Sequence, residues 1–164
     1  MATHFLPDEM GDTSRPGLIG GLGIASFLNT GFFMLVYALG ILVMTGLQQM
    51  PLEEVNDLVR EQMAQFSAGM SEDDQAKAMS LVGVLHANGA LLMLLLLVRT
   101  VLRFAGVVGI WKGRRSGFYT YASAQIAGIF LPHVVLPWEY LGVFGPLMSL
   151  LVTALYGSQL KRLG

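Results

Sequence analysis

Arg99 and Arg103 stand four positions apart inside the apolar run "LLLLVRTVLRFAGVVGIW". That spacing puts both side chains on one face of a helix. A guanidinium stays charged at any physiological pH and offers five donors in a planar fork, so the chemistry it suits is recognition of carboxylate or phosphate. On insertion scales a mid-helix arginine costs about 2.5–3.5 kcal/mol, and each Leu, Ile, Phe or Val returns about 0.3–0.6. Residues 91–111 hold thirteen such apolar residues against the two arginines, close to balance. A helix here inserts into a bilayer only if the arginines face something other than hydrocarbon. Asn88, eleven residues earlier, shares their face. Gln125, counted from the basic turn at 113–116, falls near the depth of Arg103 as an amide contact. Three counter-partners are open: anionic lipid at the inner leaflet reached by snorkelling, an acidic helix of another subunit, or an anionic ligand inside the bundle.

Other chemistry has less support. With no cysteine in the chain, disulfides, thiolate metal sites and thiol catalysis are excluded. His86 and His133, on different helices toward the same side, are weak candidates for a metal or for haem, and no cofactor is expected. His4 lies in a polar stretch and reads as solvated. The ten methionines show no paired spacing and read as gap-filling residues. "GGLG" at 20–23 is no phosphate loop, because no strand precedes it and no lysine follows. No serine–histidine–aspartate arrangement is recognisable, and the few basic residues give nucleic-acid binding no support. The expectation is a non-enzymatic protein.

The elements that position these residues follow from composition. Of 164 residues 54% are hydrophobic and only 13% charged, with mean hydropathy +0.59. A soluble domain carries about a quarter charged residues, so this is membrane-protein composition. The predicted fold is all-α, with a polar cytoplasmic tail at 1–17 and a four-helix transmembrane domain over 18–164. Its spans cover about 20–47, 79–111, 117–136 and 138–160, with Pro132 and Pro137 marking the connection of the last two. Small residues at spacing four (Gly109, Gly113, Gly117; Ala124, Gly128) suit close helix approach.

Charge then sets orientation. Ten of eleven acidic residues precede position 75, and eight of ten basic residues follow it. Lys112, Arg114, Arg115, Lys161, Arg162 and Arg15 fall on one side, which makes both termini cytoplasmic and 48–78 extracytoplasmic. In 48–78, Leu52, Val55, Leu58, Val59, Met63 and Phe66 form an apolar stripe on a helix that "SAGM" ends. Ser71 followed by Glu72, Asp73 and Asp74 reads as an N-cap with an acidic first turn, from which a helix runs directly into span two. Trp111, Tyr119 and Tyr121 at one interface, and Trp138 and Tyr140 at the other, read as aromatic belts. Two registers of span two are open, 79–98 and 91–111. The tight turn to span three favours the second, which puts Arg99 near mid-membrane.

The stretch "WKGRRSGFYTYASAQI", Trp111 to Ile126, resembles a segment of small, uncharacterised bacterial four-span membrane proteins, in which a basic turn precedes Gly-Phe-x-x-Tyr. The resemblance implies four spans in a bacterial inner membrane and no activity. Unlike small multidrug transporters, span one has no carboxylate and offers only Asn29, Thr30 and Thr45. The role expected from sequence is an accessory or assembly subunit of a membrane complex, or a homo-oligomer. The alternative is a transport or anion-binding bundle using Arg99 and Arg103 with Asn88 and Gln125. A haem or metal protein using His86 and His133 comes third.

Overall fold

The computed structural model describes residues 5–66, 71–140 and 142–164. Among the described residues five α-helices form: α1 Gly17–Leu47, α2 Leu52–Phe66, α3 Glu72–Trp111, α4 Arg115–Phe130 and α5 Phe144–Gly157. Helices α1 (31 residues) and α3 (40 residues) are both long and apolar enough to cross a membrane, with 18-residue windows of mean hydropathy 2.0 and 2.3. Only 6% and 11% of those windows is buried. A core helix of a soluble protein would hide most of such a window; here Leu28, Phe32, Leu35, Leu39 and Leu42 point outward from α1. Helix α3 starts where the acidic turn predicts, with Ser71 Oγ accepting the Asp74 N–H at 3.2 Å, and it continues unbroken to Trp111. "SAGM" and His4 lie outside the described residues.

Antiparallel packing of α1 on α3 is set by small residues facing large ones. Gly23 receives the Trp111 ring, Gly40 receives Met93, and Gly89 receives Met44. The far end is closed by Gln48 Nε2 donating to the Ala87 carbonyl at 3.0 Å and by His86 Nε2 donating to the Met50 carbonyl at 2.9 Å. At the other end Lys112–Arg114 turn the chain, with Gly113 at φ 80, a value only glycine adopts freely. Helix α4 returns along α3 so closely that Gly109 meets the Gly117 backbone and Gly106 meets the Tyr121 backbone.

The sequence predicts spans over 117–136 and 138–160, but the helices observed are shorter. Proline lacks the N–H that an α-helix interior needs. Accordingly α4 ends at Phe130, Leu131–Val134 tighten into a 3₁₀ turn around Pro132, and Trp138–Tyr140 form another after Pro137. Helix α5 begins only at Phe144, after Gly142. Tyr140 hydroxyl donates to Ser80 Oγ at 3.1 Å, which ties this irregular segment to α3.

Residues 5–16 are not a free tail. Phe5 pairs with Leu163 in an isolated β-bridge, and both side chains are buried. Arg162 spreads its guanidinium over Asp8 Oδ2 at 2.9 Å and the carbonyls of Leu6, Asp12 and Ser14. The main buried cluster (Phe5, Ile19, Val107, Ile110, Tyr121, Tyr156, Leu163) sits at this end. Arg15 lies 3.7 Å over the Trp111 ring, a cation–π contact. Helix α2 leans on α3 and buries Val55, while Leu52 and Leu58 of its stripe stay exposed.

Two outcomes follow from this packing. Gly117→Val puts a branched side chain into the α3 backbone and should cost about 1–3 kcal/mol or more. Gly21→Ala, inside α1 with open space around it, should instead stabilise by about 0.5–1 kcal/mol; unfolding in micelles compares them. The Asp8 carboxyl is held below its ordinary 3.8, first by the Asp12 and Met10 backbone N–H groups and then by Arg162. A lowered folded pKa stabilises fully above the ordinary value and is lost as pH falls through the lowered one. A spin label at exposed Met10 should therefore keep its mobility from neutral pH down to 3.8 and loosen only below it.

Candidate functional site

Arg99 and Arg103 rise from α3 toward the protein's own helices. Arg99 Nε donates to the Ala124 carbonyl at 3.3 Å, and Nη2 donates to Gln125 Oε1 at 3.0 Å and Ser149 Oγ at 3.5 Å. Its guanidinium fills space that α4 leaves open at Gly128, where a Cβ would overlap Nε. Gln125 is buried and also donates through Nε2 to the Tyr121 hydroxyl at 2.9 Å. An arginine has no acceptor, so this pair of bonds fixes the amide with its oxygen toward Arg99. Neither Nη1 hydrogen of Arg99 has a partner among the described residues.

Arg99 lines a cavity of about 530 Å³ between α3, α4 and the start of α5. Its walls include Ile129, Pro132, His133, Trp138 and Phe144, with Ser149 beside Arg99. The first turn of α5 forms one side, adding the positive end of its dipole to the guanidinium. Arg103 lines a different cavity, of about 350 Å³, walled by all four helices α1, α3, α4 and α5. Its Nη2 donates to Asn29 Oδ1 at 3.3 Å, and its Nε is buried without a partner among the described residues. Ser149 and the Gln125 side chain stand between the two cavities. Below the smaller one, Tyr156 hydroxyl and Ser26 Oγ lie 3.0 Å apart and the Tyr121 and Tyr156 rings meet edge to face.

Electrostatically the site is one-sided. Among the described residues the ion pairs are Arg60–Asp57 and Arg162–Asp8, so no carboxylate lies within 4.0 Å of Arg99 or Arg103. Amide, hydroxyl and carbonyl oxygens do all the work of holding these charges.

Several expectations need correction. Gln125, expected as an amide contact of Arg103, lines one cavity with Arg103 but gives its hydrogen bond to Arg99. Asn88 is exposed and makes no side-chain bond among the described residues; the amide that serves Arg103 is Asn29 of α1. Tyr121, expected in an interfacial belt, is wholly buried between Gln125 and Tyr156. Ser149 and Gly128 were not signalled as arginine partners; Gly128 stood only in a small-residue spacing. The histidines are not brought together. His86 serves Met50 at the α1–α2 junction, while His133 stacks on Trp138 with ring centroids 3.2 Å apart and borders the larger cavity. Among the described residues no group of three histidine, aspartate or glutamate side chains is placed to hold a metal.

Comparison of the chain with protein-family models, curated proteins and solved structures found no match.

Removing the amide at Gln125 strands a guanidinium donor and the Tyr121 hydroxyl together. Gln125→Leu should cost roughly 1–3 kcal/mol, the penalty of leaving buried polar groups unpaired. Asn88→Leu should be near neutral. Denaturant unfolding in micelles reads both.

Proposed function

We propose that the protein is an integral membrane bundle that binds an anion at Arg99. The observation that carries this is a guanidinium turned inward and held only by neutral acceptors, on a residue that lines a cavity. In this reading α1, α3, α4 with its 3₁₀ extension, and α5 each belong to one span. The basic cluster at Lys112–Arg115 and Lys161–Arg162 marks the cytoplasmic end. Helix α5, 14 residues, covers about 21 Å and falls short of a 30 Å hydrocarbon core. The irregular backbone before it thus lies at membrane depth, where such backbone is tolerated beside protein or a water-lined cavity. The larger cavity stands there.

The same geometry weighs against the competing partners. From Arg99 to Trp111 is about 18 Å along α3, too far for a side chain to reach the inner phosphates. An acidic helix from an accessory subunit or a second copy would have to enter between α4 and α5 to meet Arg99. A unit anion about 4 Å from the guanidinium gains about 4 kcal/mol of Coulomb energy at an effective dielectric constant of 20, which offsets part of the anion's desolvation.

Thermal unfolding in nanodiscs tests this with acetate, nitrate and phosphate. A bound anion at a hundred times its Kd should stabilise by about 2.7 kcal/mol, with the response gone in Arg99→Gln. An unchanged response in that variant would sink the reading. Because the natural chain has no cysteine, Gln49→Cys and Ser158→Cys can be labelled singly. Labelling of both from one side of sealed vesicles would overturn the proposed topology.

A further inference from the structure

We infer that the anion taken by the larger cavity is an apolar monocarboxylate, which enters carboxylate first and leaves its hydrocarbon body against the aromatic wall; this rests on the anion-binding reading above. Charge comes first. Arg99 is the one arginine or lysine on that cavity among the described residues, since Arg103 lines the other. A dianion would carry one charge with no counterpart, a large cost away from water. A monoanion is matched.

The number of donors points the same way. With Nε and Nη2 engaged, Arg99 offers only its Nη1 hydrogens, and Ser149 adds one hydroxyl. Two such donor groups suit the two oxygens of a carboxylate. They replace little of the hydration shell of a small inorganic ion, which Ile129, Pro132 and Phe144 cannot hydrogen-bond.

Size and surface then describe the rest of the ligand. About 530 Å³ is far more than a carboxylate group needs, against roughly 30 Å³ for a water molecule, and it falls in the usual range for organic ligands. The indole of Trp138 is 65% exposed and Phe144 is 71% exposed, although both border the cavity. His133, stacked on Trp138, holds that indole in place. These faces sit where the body of a ligand anchored at Arg99 would lie, and an aromatic ring or an acyl chain both cover them.

Isothermal titration of the nanodisc-embedded protein separates the possibilities, using acetate, 2-naphthoate, decanoate and the uncharged 2-naphthamide. We expect 2-naphthoate or decanoate to bind at least tenfold more tightly than acetate, and the amide at least tenfold more weakly than naphthoate. Arg99→Gln should remove the preference for acid over amide. Trp138→Ala, at an exposed position that leaves the arginine's hydrogen bonds intact, should weaken naphthoate at least fivefold and leave acetate unchanged. Acetate binding as tightly as the larger acids, with dependence on Arg99, would overturn this inference and keep the anion-binding reading. Amide binding as tightly as naphthoate would overturn both.

Discussion

Two guanidinium groups inside an apolar bundle must be solvated by the protein itself, and much of the interior is arranged around that requirement. Removing a cation from water costs several kcal/mol even after relaxation. The chain offsets it for Arg99 with a carbonyl, an amide and a hydroxyl drawn from α4 and α5. Gln125 extends the arrangement to Tyr121, and Tyr121 packs on Tyr156, which reaches Ser26 of α1. One charge on α3 thereby connects α1, α3, α4 and α5. Neutral partners leave the charge of the arginine without a carboxylate counterpart among the described residues.

Packing is uneven for a related reason. Between α3 and α4 glycines strip away side chains at Gly106, Gly109 and Gly117, and the backbones come together. Between α1 and α3 glycines accept methionine and tryptophan side chains instead. Helix α5 has no comparable seam. Its first residues, Phe144, Leu147 and Met148, are exposed, and both cavities have it as a wall. The tight three-helix part fixes the arginines, and the loosely held fourth element provides the space beside them.

The parts of this arrangement legible in sequence are those governed by local chemistry. Helix α3 could be traced from Ser71 and three acidic residues at one end to a basic turn at the other, because caps and charges act within a turn. Pro132 and Pro137 announced an interruption, though how much helix they would remove could not be read without knowing where backbone bonds resume. The arginine partners were harder. Asn29 reaches its place through the offset of α1 against α3, set by which glycine faces which large side chain, and Ser149 through where helix resumes at Phe144. Tyr121 illustrates the same limit. A tyrosine a few residues past a basic turn fits an interfacial belt by position, and only its rotation toward Tyr156 buries it.

The clasp at Arg162 gives α5 a mechanical character. Its far end is held by Phe5, Asp8 and the carbonyls around Arg162, and its near end follows a segment fastened to Ser80 through Tyr140. An element tethered at both ends, with Tyr156 in the core and its first half exposed, resembles a plucked string: any give would come as bowing of that first half rather than as sliding along its axis. Ser149 sits in that half. Bowing would lengthen its 3.5 Å contact with Arg99 and merge the two chambers it separates, while the fastened ends preserve the register of the bundle.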